Sequence, residues 1–163
     1  MNIIAIYPGT FDPMTLGHED MVRLAALLFE NLIVAVAAGH HKNTLFSLQE
    51  RIDMAHKAVG AYPGVKVEGF TGLIHDFVTR RGAKVMVRGL RGVTDFDEEL
   101  QLAGMNRTLM PDVETIFMTP SPPYQFVSSS LVRQIAMLGG HVTPFVSPNI
   151  CQRLLQKVQG CDQ

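Results

Sequence analysis

Short apolar runs alternate strictly with helix-patterned segments along this chain, and that alternation constrains the fold more than any other feature. Five runs are rich in strand-forming residues: IIAIY (3–7), LIVAVA (32–37), VKVEGF (65–70), KVMVR (84–88) and VETIFM (113–118). The first two are continuously apolar, as strands covered on both faces should be. Helical spacing separates the runs. Met21, Leu24, Ala25 and Leu28 follow it after His18, and Ser47 with Glu50 makes a capping box ahead of Leu48, Ile52, Ala55 and Val59. Thr94 with Asp97 opens a further helix carrying Phe96, Leu100 and Ala103 along one side. LVRQIAML (131–138) stops at Gly139–Gly140, and Ser147–Pro148 starts a last helix that runs to about Val158.

Strict β/α alternation implies a parallel sheet with helices on both faces and right-handed crossovers. The length of 163 residues suits one domain. The expected fold is therefore a single-domain α/β protein spanning 1–163, with a Rossmann-like parallel five-stranded sheet of order 3-2-1-4-5. A net charge of −1 creates no broad field toward nucleic acid or an anionic membrane, so neither is an expected partner. Any anion must be held by a local arrangement. Cys151 and Cys161 lack metal-ligand spacing and read as free thiols in a reducing compartment. The first residues lack the pattern of a signal peptide, and LIVAVAA (32–38) is too short to span a bilayer, so a cytoplasmic soluble protein is expected.

The corner after the first run, YPGTFDPMTLGH, is crowded with turn-formers: Pro8, Gly9, Thr10, Asp12, Pro13 and Thr15 precede His18 in the first turn of the next helix. A plain strand-to-helix connection needs only about two to six residues. Ligands of open α/β sheets bind beyond the carboxyl ends of the strands, near the point where strand order reverses. Thr10 and His18 follow the first strand, Lys42 the second, Arg88 and Arg91 the fourth, and Ser128, Ser129 and Ser130 the fifth. Two helix N-termini, near Gly17 and Ser129, add N–H donors and positive dipole ends. This set of donors suits a polyphosphate.

No GxxxxGK[ST], GxGxxG or GxSxG sequence is present, and no His/Cys/Glu cluster has zinc spacing. Donors without an obvious base or nucleophile fit a reaction whose substrate brings its own nucleophile. His18, at a helix N-terminus, is expected neutral in the empty protein, while a bound triphosphate would favour its protonation; either form can donate from Nε2. Taken singly, each residue also has an ordinary structural use. His18 could be a surface residue, Thr10 a turn stabiliser, Lys42 a solvated loop residue beside His40 and His41, and the serines a helix cap. Arg91 could pair with Asp95 or Glu98. Arg88, ending an apolar strand, needs a partner.

The corner resembles the T/HxGH signature of the nucleotidylyltransferase superfamily. YPGTFDP, GH, FSLQER, VRGLRGVTDFDEELQLAGMNR and FVSSSLVR together resemble the bacterial phosphopantetheine adenylyltransferases from Ile3 to the final helix. The resemblance implies one nucleotidylyltransferase domain that transfers AMP from MgATP to 4′-phosphopantetheine, giving dephospho-CoA and pyrophosphate in coenzyme A synthesis. The acceptor phosphate would attack the α-phosphorus directly. By matching position, His18 would stabilise the transition state, with Thr10, Lys42 and Arg91 as further catalytic groups. Thr10, Phe11, His18, Gly89, Leu90, Arg91, Glu99 (at the ribose), Tyr124, Gln125, Phe126, Val127, Ser128, Ser129 and Ser130 would bind ATP. Thr10, Lys42, Ile74, Arg88 and Asn106 would bind the acceptor. Mg2+ would arrive on the ATP phosphates with no protein site of its own, and the assembly implied is a homohexamer.

Leu16 stands where the family often has asparagine, and Tyr124 where it often has tryptophan. Two alternatives remain at this level. One is a sibling transferase that adenylates nicotinate mononucleotide or uses CTP on a small phosphate or alcohol. The other is a non-catalytic nucleotide- or CoA-binding regulator on the same fold.

Overall fold

The continuously apolar runs do become buried parallel strands. The computed structural model describes residues 2–39 and 43–161, and within it five strands form one sheet: β1 (Ile4–Gly9), β2 (Asn31–Ala37), β3 (Val65–Phe70), β4 (Val85–Gly89) and β5 (Glu114–Met118). All neighbours pair in parallel, in the order β3-β2-β1-β4-β5, as expected from the sequence. The reversal of order lies between β1 and β4, so the carboxyl ends of these two strands flank the place where a ligand should bind. β1 runs two residues past its apolar run, because Pro8 and Gly9 continue the ladder opposite Ala35 and Val36.

Alternate side chains feed two cores. Ala5, Tyr7, Leu32, Val34, Val36, Val85 and Val87 face α1 (Leu16–Leu28), α2 (Leu48–Val59), α5 (Ser129–Met137) and α6 (Pro148–Cys161). Ile6, Ile33, Ala35 and Met86 face Phe77 and Val78 of α3 (Ile74–Arg81), together with Met110 just beyond α4 (Val93–Leu109). The period of two thus sends each strand's residues to opposite layers.

Helix starts follow chemistry where chemistry is available. Ser47 caps α2, accepting from the Glu50 N–H while the Glu50 carboxylate accepts from the Ser47 N–H, as its spacing predicts. α4 differs from expectation. It begins at Val93 with Gly92 as its N-cap and no side-chain capping bond, so Thr94 lies inside the first turn rather than before it. α3 likewise starts after Leu73 without a side-chain cap, which is why TGLIHDF carries no start signal. α6 extends past Val158 to Cys161.

Most of α4 is poorly covered. Asn106 is its one buried residue among those described, while Val93, Phe96, Leu100, Met105 and Leu109 are exposed. No helix among the described residues is long and apolar enough to cross a membrane.

Candidate functional site

The carboxyl ends of β1 and β4 open into a cavity of about 510 Å3, within the range expected for small-molecule sites. Its wall is built from the β1–α1 corner, the end of β4, the inner side of α4 and the segment leading into α5.

The corner is held from behind by charged groups. Arg51 of α2 is 1% exposed. Its Nη1 donates to the carbonyls of Thr10 (2.7 Å) and Ala37 (2.6 Å), its Nη2 to Ala38 (3.1 Å) and its Nε to Phe46 (3.1 Å). One guanidinium therefore ties the corner to the end of β2 and the entry to α2. Asp12 completes the link, its carboxylate accepting from the N–H groups of Leu45 (2.8 Å) and Phe46 (2.9 Å). Phe11 takes a positive φ of 50°, and its ring stands edge-on to Tyr7 and to His18. A Cβ on Gly9 would lie 2.8 Å from that ring, so the close approach requires glycine there. The Asp12–Pro13 peptide is cis.

His18 is fixed by the same helix start. Thr15 is the N-cap of α1, and its Oγ1 accepts from the His18 N–H at 3.3 Å. The Thr15 N–H in turn donates to His18 Nδ1 at 3.0 Å. A backbone N–H can only donate, so Nδ1 carries the lone pair and the ring proton of the neutral imidazole sits on Nε2. This is a capping box in which histidine takes the place of glutamate. Burial, assisted by the Arg91 charge, lowers the His18 pKa to about 4. The expected neutral ring is thus found. Protonation on ATP binding would place a new Nδ1–H against the Thr15 N–H, so the geometry favours donation from the neutral ring even beside an anion.

Arg88, at the end of β4, has the partner its position requires. Its Nε and Nη2 donate to the two carboxylate oxygens of Glu99 on α4, each at 2.7 Å. This bidentate pair holds the guanidinium in the cationic form, with Glu99 the main cause. The Tyr7 phenol beside it is raised above its ordinary pKa by burial. Arg91 donates from Nη1 to the Val127 carbonyl (3.1 Å), and its own N–H and Nε face Asp95, one of its two expected alternatives.

The segment before α5 is also anchored. Asp20 of α1 accepts from the Ser121 N–H at 2.7 Å. Ser128 caps α5, accepting from the Leu131 N–H, and the Ser129 hydroxyl donates to the Pro13 carbonyl at 2.7 Å. The serines therefore have the ordinary capping use and line the cavity as well.

Of the residues expected at a site, Thr10, His18, Ile74, Arg88, Gly89, Arg91, Glu99, Asn106, Tyr124, Val127, Ser128, Ser129 and Ser130 line this one cavity. Phe11 lies behind the wall at 3% exposure, while Phe126 points outward at 84%. Leu90 and Gln125 do not line it either. Lys42, with His40 and His41, lies outside the described residues. Tyr7, Thr15, Met21, Met86 and Leu102 also line it, without having been expected there, as does Gly17, near which a helix N-terminus was expected.

The arrangement is one of anion donors around an open cavity: an Nε2–H, two guanidinium groups, a hydroxyl cluster and two helix N-termini. The sequence profile of the cytidylyltransferase-like family matches residues 6–135, most of the segment that builds this cavity. Phosphopantetheine adenylyltransferase from Acidovorax sp. (strain JS42) is 60% identical over 157 residues, covering 96% of this chain and 95% of its own. The protein of the same name from Paraburkholderia xenovorans (strain LB400) is 55% identical over 160 residues, covering 98% and 94%. A bifunctional NMN adenylyltransferase/ADP ribose pyrophosphatase from Francisella tularensis shares the fold, with a TM-score of 0.72 at 14% identity over 98% of this chain and 52% of that one. The chain belongs to the cytidylyltransferase-like family and, within it, to the phosphopantetheine adenylyltransferases.

Proposed function

We propose that the chain transfers AMP from MgATP to 4′-phosphopantetheine, releasing pyrophosphate and giving dephospho-CoA. The observation that carries this reading is the neutral His18, oriented by Thr15, in a cavity whose other walls supply Arg88, Arg91 and the serine cluster.

An oxygen of the acceptor's terminal phosphate forms a bond to the α-phosphorus of ATP, and the bond from that phosphorus to the bridging oxygen breaks, so pyrophosphate leaves. The nucleophile is already anionic and needs no base, which matches a cavity holding donors rather than a proton acceptor. His18 Nε2–H stabilises charge developing on the α-phosphate, and Thr10 lies beside it on the same corner. Arg91 and Ser128–Ser130 face the β- and γ-phosphates. Arg88, with Lys42, holds the acceptor phosphate, and Ile74 and Asn106 border the pantetheine arm. Magnesium enters with ATP as the counter-ion of its phosphates. Among the described residues, no group of three or more His, Cys, Asp or Glu side chains is placed to hold a metal.

Exposed apolar residues of α4, Phe96 and Leu100 among them, support self-association, since apolar side chains left in water on a small domain commonly mark an interface. The proposed assembly is a homohexamer working in the cytosol.

Pyrophosphate release from MgATP tests the reaction. Multiple turnover with 4′-phosphopantetheine, with dephospho-CoA identified by mass, is expected. Turnover with nicotinate mononucleotide instead would leave the phosphate cradle and discard the acceptor. ATP binding without turnover on either would favour a regulator.

A further inference from the structure

Glu99 lines the cavity while gripping a neighbouring arginine. Both of its carboxylate oxygens are taken by Arg88, at 2.7 Å each, and its side chain is 17% exposed. The pair also bridges two elements, since Arg88 is the penultimate residue of β4 and Glu99 lies in the second turn of α4. The bond uses one edge of the guanidinium, Nε with Nη2. Nη1 has no acceptor among the described residues, and Arg88 lines the cavity with Ile74 and Asn106.

An arginine has several χ angles and loses substantial entropy when fixed; a carboxylate that grips its Nε–Nη2 edge makes that loss before any ligand arrives. The free end can then meet a phosphate in a set orientation. We propose that Glu99 is a positioning residue for the acceptor subsite, acting through Arg88: it holds the guanidinium by one edge so that the other end presents to the phosphate of the acceptor. This rests on the reading of 4′-phosphopantetheine as acceptor. It gives Glu99 a role toward the acceptor in addition to the ribose contact that the family resemblance implies.

Glu99→Gln keeps size and shape but replaces one acceptor oxygen with an NH2 that opposes a guanidinium N–H. Direct titration by calorimetry separates the two substrates. The Glu99→Gln protein should bind 4′-phosphopantetheine about tenfold more weakly, a larger loss than in its ATP affinity. In the Arg88→Ala background, adding Glu99→Gln should alter acceptor affinity by less than about twofold, because the residue through which it acts is gone. A loss confined to ATP affinity would overturn the proposal in favour of a ribose contact. An undiminished, additive loss of acceptor affinity in the Arg88→Ala background would overturn it too, as would tighter acceptor binding by Glu99→Gln, which would make the pair a competitor of the phosphate. If the unsubstituted protein binds ATP but not 4′-phosphopantetheine, the reading of function falls and takes this proposal with it. If it binds both and Glu99→Gln leaves acceptor affinity unchanged, the positioning role alone falls.

Discussion

His18 is held by two bonds to Thr15, and the one from the Thr15 N–H depends on Nδ1 being unprotonated. Its pKa of about 4 lies below the ordinary 6.5, so between these values the unfolded chain takes up a proton that the folded chain refuses. The contribution of His18 to stability is present above the ordinary value and is lost as pH falls toward the lower one. The His18 ring signals of the ligand-free protein should accordingly stay unshifted by NMR from about pH 8 down to about pH 5.5, where an ordinary histidine is mostly protonated. Glu19, the next residue, runs the other way. Its Oε2 is buried without a hydrogen-bond partner, and burial raises its pKa from 4.5 to about 7. The folded chain therefore retains a proton the unfolded chain has released, and stability is lost as pH rises from 4.5 through about 7. Glu19→Gln should raise the thermal midpoint at about pH 8 and leave it nearly unchanged at about pH 4.5, as measured by scanning calorimetry.

At the scale of elements, the Arg51 guanidinium joins three segments that no single helix or strand connects. Arg51→Met leaves the carbonyls of Thr10, Ala37, Ala38 and Phe46 without this donor. The Phe46 contact is buried and the other three are part-buried, so with about 1–3 kcal/mol for a fully buried acceptor left unmet, urea denaturation should show a loss of about 3 kcal/mol. Arg51→Lys should recover only part of it, since one ammonium cannot fork to three segments. The elements themselves differ in how openly the sequence announces them. The β1–β2 ladder is readable because both runs are continuously apolar, and α2 because Ser47 and Glu50 sit three apart. α3 and the true start of α4 carry no capping side chain, so Leu73 and Gly92 gave no signal. The Arg88–Glu99 pair is invisible for another reason: eleven residues separate its members, and only the fold of α4 back over the end of β4 brings them together. The cradle was legible as a list of donors, but the Nδ1 bond that orients His18 was not, because histidine is not the usual third residue of a capping box.

For the whole molecule, the sheet order places every expected donor of the described chain at one edge, whereas α4 leaves apolar residues in water on more than one of its sides. Leu100 is 51% exposed, and the rings of Phe96 and Phe117 meet at a tilt of 57° with centroids 6.4 Å apart. Leu100→Glu should leave the protomer folded, since the side chain is not part of either core, yet shift the sedimentation profile from the proposed hexamer toward smaller species. An unchanged profile would place the interface on another surface. The account stands most directly on one comparison, kcat and ATP affinity of His18→Ala against the unsubstituted protein with 4′-phosphopantetheine as acceptor. The predicted result is a fall in kcat of about 10²–10³ with ATP affinity essentially kept, the scale for one preorganised donor to a developing anion. A weakened ATP affinity with kcat intact would contradict it, and would make His18 a ground-state phosphate contact instead.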